Sequence, residues 1–100
     1  MTKVEQFYNK NQFLLRGEDG ITFQSYGSTI ANINNDGKLK LFCDWDYSHT
    51  TLKHLYLFLN DFDCLLNETG RKLVDELQYN NNKRKTIQKY IDQKLIKCEF

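Results

Sequence analysis

Four side chains that could hold a metal or move a proton fall within eleven residues: Asp44, Asp46, His49 and His54. Imidazole and carboxylate sets of this kind bind divalent ions. The local pattern favours a different role. Asp44 and Asp46 stand where a strand gives way to a helix, and the unpaired N–H groups of a first helical turn stabilise a carboxylate there. His49 and His54, five positions apart on that helix, point in different directions. The expectation is capping, with no metal and no cofactor. Nucleophilic chemistry also lacks its parts. Cys43, Cys64 and Cys98 have no His beside them in sequence, and no Gly-x-Ser-x-Gly elbow occurs. The glycines at 17, 20, 27, 37 and 70 form no phosphate-cradling loop. A non-enzymatic protein is expected.

Two constellations suit binding instead. Trp45 and Tyr47, flanked by Asp44 and Asp46, combine aromatic anchors of the kind enriched at interface hot spots with carboxylates that could imitate phosphate. Lys83, Arg84, Lys85 and Lys89 give the last helix a basic side suited to phosphate contacts, with Lys94 and Lys97 further on. The first set points to a protein partner and the second to nucleic acid.

The elements that must position these residues divide at Asp44–Thr51. Before it, apolar residues alternate at period two. Gln12–Arg16, Ile21–Tyr26, Ser28–Asn34 and Lys38–Cys43 read as strands, separated by Gly17–Gly20, Gly27 and Asn35-Asp36-Gly37. Ile21, Phe23 and Ser25 share one face, and Leu39 and Leu41 point inward opposite Lys38 and Lys40. Residues 1–11 read as a lead-in or a short edge strand. After the division the period becomes about 3.6. Leu52, Leu55, Tyr56, Leu59 and Phe62 make a stripe from about Ser48 to Asn60, with Ser48 or Asp46 as cap. Asp61–Asn67 continues that helix or forms a short second one, and Gly70 weakens any single helix through the region. Further helices are expected at about Glu68–Tyr79 and Lys83–Lys97, joined by a turn at Asn80-Asn81-Asn82. The fold class is α+β: an antiparallel meander of about four strands (about 12–43) followed by two to four helices (48–97), one packed on the sheet, in one domain over 1–100.

Composition agrees with that size. The chain has 100 residues and carries 14% aromatics and 27% charged residues, so a single modest core is expected. The net charge of +1 gives no global field toward nucleic acid or membrane. Three cysteines at irregular spacings and no apolar leader imply free thiols in the cytoplasm. No window is apolar enough to span a membrane. The broad apolar surface around Leu57 and Phe58 is compatible with a homodimer.

The run Gln24-Ser25-Tyr26-Gly27-Ser28-Thr29-Ile30-Ala31, with Asp44-Trp45-Asp46-Tyr47-Ser48-His49-Thr50-Thr51-Leu52-Lys53-His54-Leu55-Tyr56-Leu57-Phe58-Leu59, resembles an uncharacterised family of small phage- and prophage-encoded proteins of low-GC Gram-positive bacteria. The resemblance covers roughly residues 11–62 and carries no catalytic residues. It implies a small accessory protein that binds and inhibits a host protein in the host cytoplasm. Some anti-CRISPR proteins are of this size and kind, which makes a CRISPR effector a candidate partner.

Overall fold

Period-two segments form strands, and the described residues hold six strands in all. The computed structural model describes residues 3–7, 9–18, 20–79 and 82–99. In it β1 (Lys3–Phe7), β2 (Asn9–Gly17), β3 (Gly20–Ser25), β4 (Ser28–Ile33) and β5 (Leu39–Phe42) run as successive antiparallel neighbours. Among them β1 settles the reading of the first residues: it is an edge strand, with Val4 opposite Leu15.

The sixth strand corrects the sequence reading. A helix was expected to run through Lys97, but β6 (Lys97–Glu99) pairs parallel to β5, with Cys98 opposite Leu41. The helix stops early because Lys94 takes a left-handed φ of 58°. Its N–H donates to Ile91 O at 3.0 Å and that of Leu95 to Tyr90 O at 2.9 Å. These are the paired bonds of a Schellman stop, in which the left-handed position is usually glycine. With lysine there, nothing in the composition announces it.

The helices are α1 (His49–Asp61), α2 (Glu68–Tyr79) and α3 (Lys83–Asp92), with a short 3-10 turn at Asp63–Leu65. Ser48 caps α1, its Oγ accepting from Thr51 N–H at 3.1 Å. Asn82 caps α3 in the same way, accepting from Lys85 N–H at 3.0 Å. Asp19 of the first expected turn and Asn80–Asn81 of the last lie outside the described residues. Gly70 sits inside the first turn of α2 rather than ending it. It is buried so tightly that a Cβ would fall 2.8 Å from Leu66 Cδ2.

The core lies where inward faces of strands meet helix residues. Phe23 of β3 stacks on Phe58 of α1 at 5.4 Å between ring centres. Phe7 meets both edge-on, at 5.6 and 6.3 Å. Such ring pairs stabilise by roughly 0.5–1.5 kcal/mol beyond the area they bury. Leu41, Leu55, Leu59, Leu73 and Ile87 fill the remainder. Phe58 is completely buried, and Leu57 is partly buried against the core. No helix among the described residues is long and apolar enough to cross a membrane.

Candidate functional site

Residues 43–48 form a tight loop between β5 and α1. Trp45 N–H donates to Phe42 O at 3.0 Å, and Tyr47 N–H to Asp44 O at 3.1 Å. This bend sends alternate side chains to opposite sides. Trp45, expected to anchor a partner at the surface, is turned inward and is only 1% exposed. A side chain of that size gains more from the core than from water, so its role is corrected from surface anchor to structural clamp. Tyr47 remains outside, at 80% exposure.

Asp46 is drawn to α3. Its Oδ2 accepts from Arg84 Nε at 2.9 Å, which joins the two constellations that the sequence offered as alternatives. Other cations of α3 are engaged as well. Lys83 Nζ lies 5.1 Å from the Tyr56 ring centre, and Lys89 Nζ is 3.2 Å from Glu76 Oε2. Lys85 is exposed and makes no ion pair among the described residues. The basic side of α3 is thus largely committed to contacts within the molecule.

The histidines part company. His54 is buried, with Nδ1 2.9 Å from Thr50 O, while His49 is exposed. Among the described residues no three His, Cys, Asp or Glu side chains gather in a way that could hold a metal ion. The Cys98 thiol is pushed up, first by burial and then by the negative charge of Asp46 and the proximity of Cys43. Tyr90 is pushed up first by burial and then by the negative charge of Glu76.

Asp44 keeps the position that Asp46 gives up. With Tyr47 it borders a groove of about 500 Å³, whose other walls come from the β3–β4 turn and the first turn of α1. Tyr26 stands at this rim, 65% exposed, in a left-handed backbone with φ of 51°. With Gly27 at φ of 82° it forms a two-residue turn in which both positions are left-handed. Such turns favour Asn, Asp or Gly, and a tyrosine there costs about 1–2 kcal/mol. Ser25 forms part of the wall. It is 4% exposed, and its Oγ has no hydrogen-bond partner. Directly opposite it in the β2–β3 register is Gln12, also buried, whose amide N and O are both unpartnered. A buried polar atom left in this way costs roughly 1–3 kcal/mol.

Tyr26, Ser25 and Gln12 were not among the candidates read from the sequence. The available signal was the Tyr-Gly pair between two alternating runs, where a bulky residue occupies a place that glycine or asparagine normally takes. A second groove, of about 1050 Å³, is bordered by Lys38 and Lys40 from around β5 and by Lys94 and Lys97 near the end of the chain. Glu18 and Asp36 face the same space, and Lys40 is already paired with Glu99 Oε2 at 2.7 Å.

Comparison with known proteins places the chain in one family. Searches of curated proteins and of solved structures give no match. A family model does match, over residues 1–81, a span that holds β1 to β5, the 43–48 loop, the hydroxyl-lined groove, α1 and α2. On that coverage, the chain belongs to the Family of unknown function (DUF8033).

Proposed function

We propose that this protein is a non-enzymatic binding protein that inhibits a host protein by stoichiometric contact, through the surface formed by Asp44, Tyr47 and Tyr26. One observation carries the reading: two tyrosines, 80% and 65% exposed, stand on the same groove as a carboxylate that has no ion-pair partner among the described residues. Large aromatic side chains left in water beside a fixed charge suit an interface, where their burial supplies most of the binding energy. Trp45 acts behind this surface by fixing the loop, and Asp46 with Arg84 holds the loop to α3. The resemblance of residues 11–62 to phage-encoded proteins supplies the setting. It makes the partner a host protein in the cytoplasm and a CRISPR effector the first to try.

The second reading is a nucleic-acid-binding protein. What favours it is the convergence of Lys38, Lys40, Lys94 and Lys97 on one groove. Against it stand the contacts that already engage Lys83, Arg84 and Lys89.

A tagged pull-down from Gram-positive host lysate, with and without nuclease, separates the two. The expected result is one host protein retained after nuclease and lost when Tyr47 is replaced by Ala. Recovery of nucleic acid, with proteins lost on nuclease treatment, would overturn the first reading in favour of the second.

A further inference from the structure

Among the described residues, every polar group facing the groove beside Tyr47 belongs to a hydroxyl, a backbone or Asp44, and no lysine or arginine lines it, so the carboxylate sets its charge. Asp44 is half-buried, and the Cys43 thiol lies beside it, with Sγ 3.9 Å from Oδ1. A thiol at that distance is a weak donor and leaves the charge essentially uncompensated.

Two N–H groups in the first turn of α1 are already taken. Thr51 N–H is taken by Ser48 Oγ and Leu52 N–H by Ser48 O. An anionic ligand would meet the like charge of Asp44. A neutral one would leave a partly desolvated carboxylate unpaired. Tyr26 and Tyr47 add exposed ring faces, whose negative quadrupole attracts cations.

We infer that the groove beside Tyr47 takes an arginine side chain of the protein partner, its guanidinium pairing with Asp44 and lying against the ring of Tyr26 or Tyr47. This rests on the reading of the site as a protein interface and names what that interface recognises. Arginine fits better than lysine because its donors lie in one plane. The edge can pair with both oxygens of a carboxylate while the face, being weakly hydrated, stacks on an aromatic ring. The left-handed tyrosine at the turn tip follows from the same demand: an asparagine would suit the backbone but offers no ring.

The test is an amide-resolved NMR titration of the intact protein with Nα-acetyl-L-arginine methylamide and with its citrulline counterpart, which has the same shape and no charge. The expected result is saturable shifts confined to Ser25–Ser28 and Asp44–Thr51. Affinity should fall at least about fivefold for citrulline, for the Asp44→Asn variant and on raising the salt. Tyr26→Asn should also weaken binding while the spectrum stays folded. An equal response to citrulline, an equally tight lysine counterpart, or shifts that never saturate would each overturn the assignment. If the titration fails while the pull-down still yields a Tyr47-dependent partner, only the arginine is lost. If arginine binds and no protein is captured, it is the inhibitor reading that falls.

Discussion

Tyr26 spends conformational energy that the fold does not require. Its φ of 51° can be relieved by a residue that enters the left-handed region readily, so Tyr26→Asn should raise stability by about 1 kcal/mol and shift thermal unfolding upward by several degrees. Calorimetry of the two proteins checks it, and a loss of stability would mean that the ring makes contacts the turn depends on. The neighbouring aromatics behave oppositely. Trp45→Ala should cost about 3–5 kcal/mol, because it empties a fully enclosed site, whereas Tyr47→Ala should change stability by less than about 0.5 kcal/mol. Chemical denaturation distinguishes them, and equal effects would remove the division between clamp and anchor. That division was hidden in the sequence. Six polar and aromatic residues in a row look like an exposed loop, and only the bend closed by Trp45 N–H to Phe42 O turns the tryptophan inward. The alternation Asp44-Trp45-Asp46 was the available sign, since a ring between two half-exposed carboxylates must point the other way.

At the level of elements, the legible parts were those with a periodic face and a strong terminus. The helix from Glu68 to Tyr79 and the cap at Ser48 follow directly from apolar spacing and from serine's preference for the N-cap. Inward burial of Ile21, Phe23 and Ser25 on one strand, and of Leu39 and Leu41 on another, follows from alternation. The end of α3 was not legible, because a lysine occupies the left-handed position at which a glycine would have signalled the stop. Replacing Lys94 by Gly should therefore stabilise the protein by about 1 kcal/mol, measured by urea denaturation, since glycine carries no penalty for that backbone. A decrease would show that the lysine side chain contributes more near the basic groove than its backbone loses. The pairing of β3 with β4, through a bulge at Phe23/Gln24, also lay beyond sequence reading, because a bulge changes register without changing composition.

The whole molecule should answer to pH on its alkaline side. Tyr90 is held above its unfolded value of 10.0 by burial and by Glu76, and Cys98 above 9.0 by burial, Asp46 and Cys43. Groups raised in this way favour the folded state fully below their unfolded values, and the benefit is lost as pH climbs through the folded ones. Stability measured by urea denaturation at about pH 8 should therefore exceed that at about pH 11. Tyr90→Phe should show a smaller drop between the two. An unchanged drop would assign the alkaline loss to other groups. On the acid side Glu99 runs the other way: Lys40 donates to it and holds its carboxyl low, so that contribution disappears as pH falls.

The parallel pairing of β5 with β6 has a consequence for how the chain is made. These strands touch, yet all three helices lie between them in sequence. A ribosome releasing the chain from its N-terminus exposes the antiparallel meander long before Lys97–Glu99 emerges, and during that interval the outer side of β5 offers unpaired backbone groups to any passing strand. Lys38 and Lys40 stand at that margin, where their charge discourages such encounters until the last strand arrives to close it.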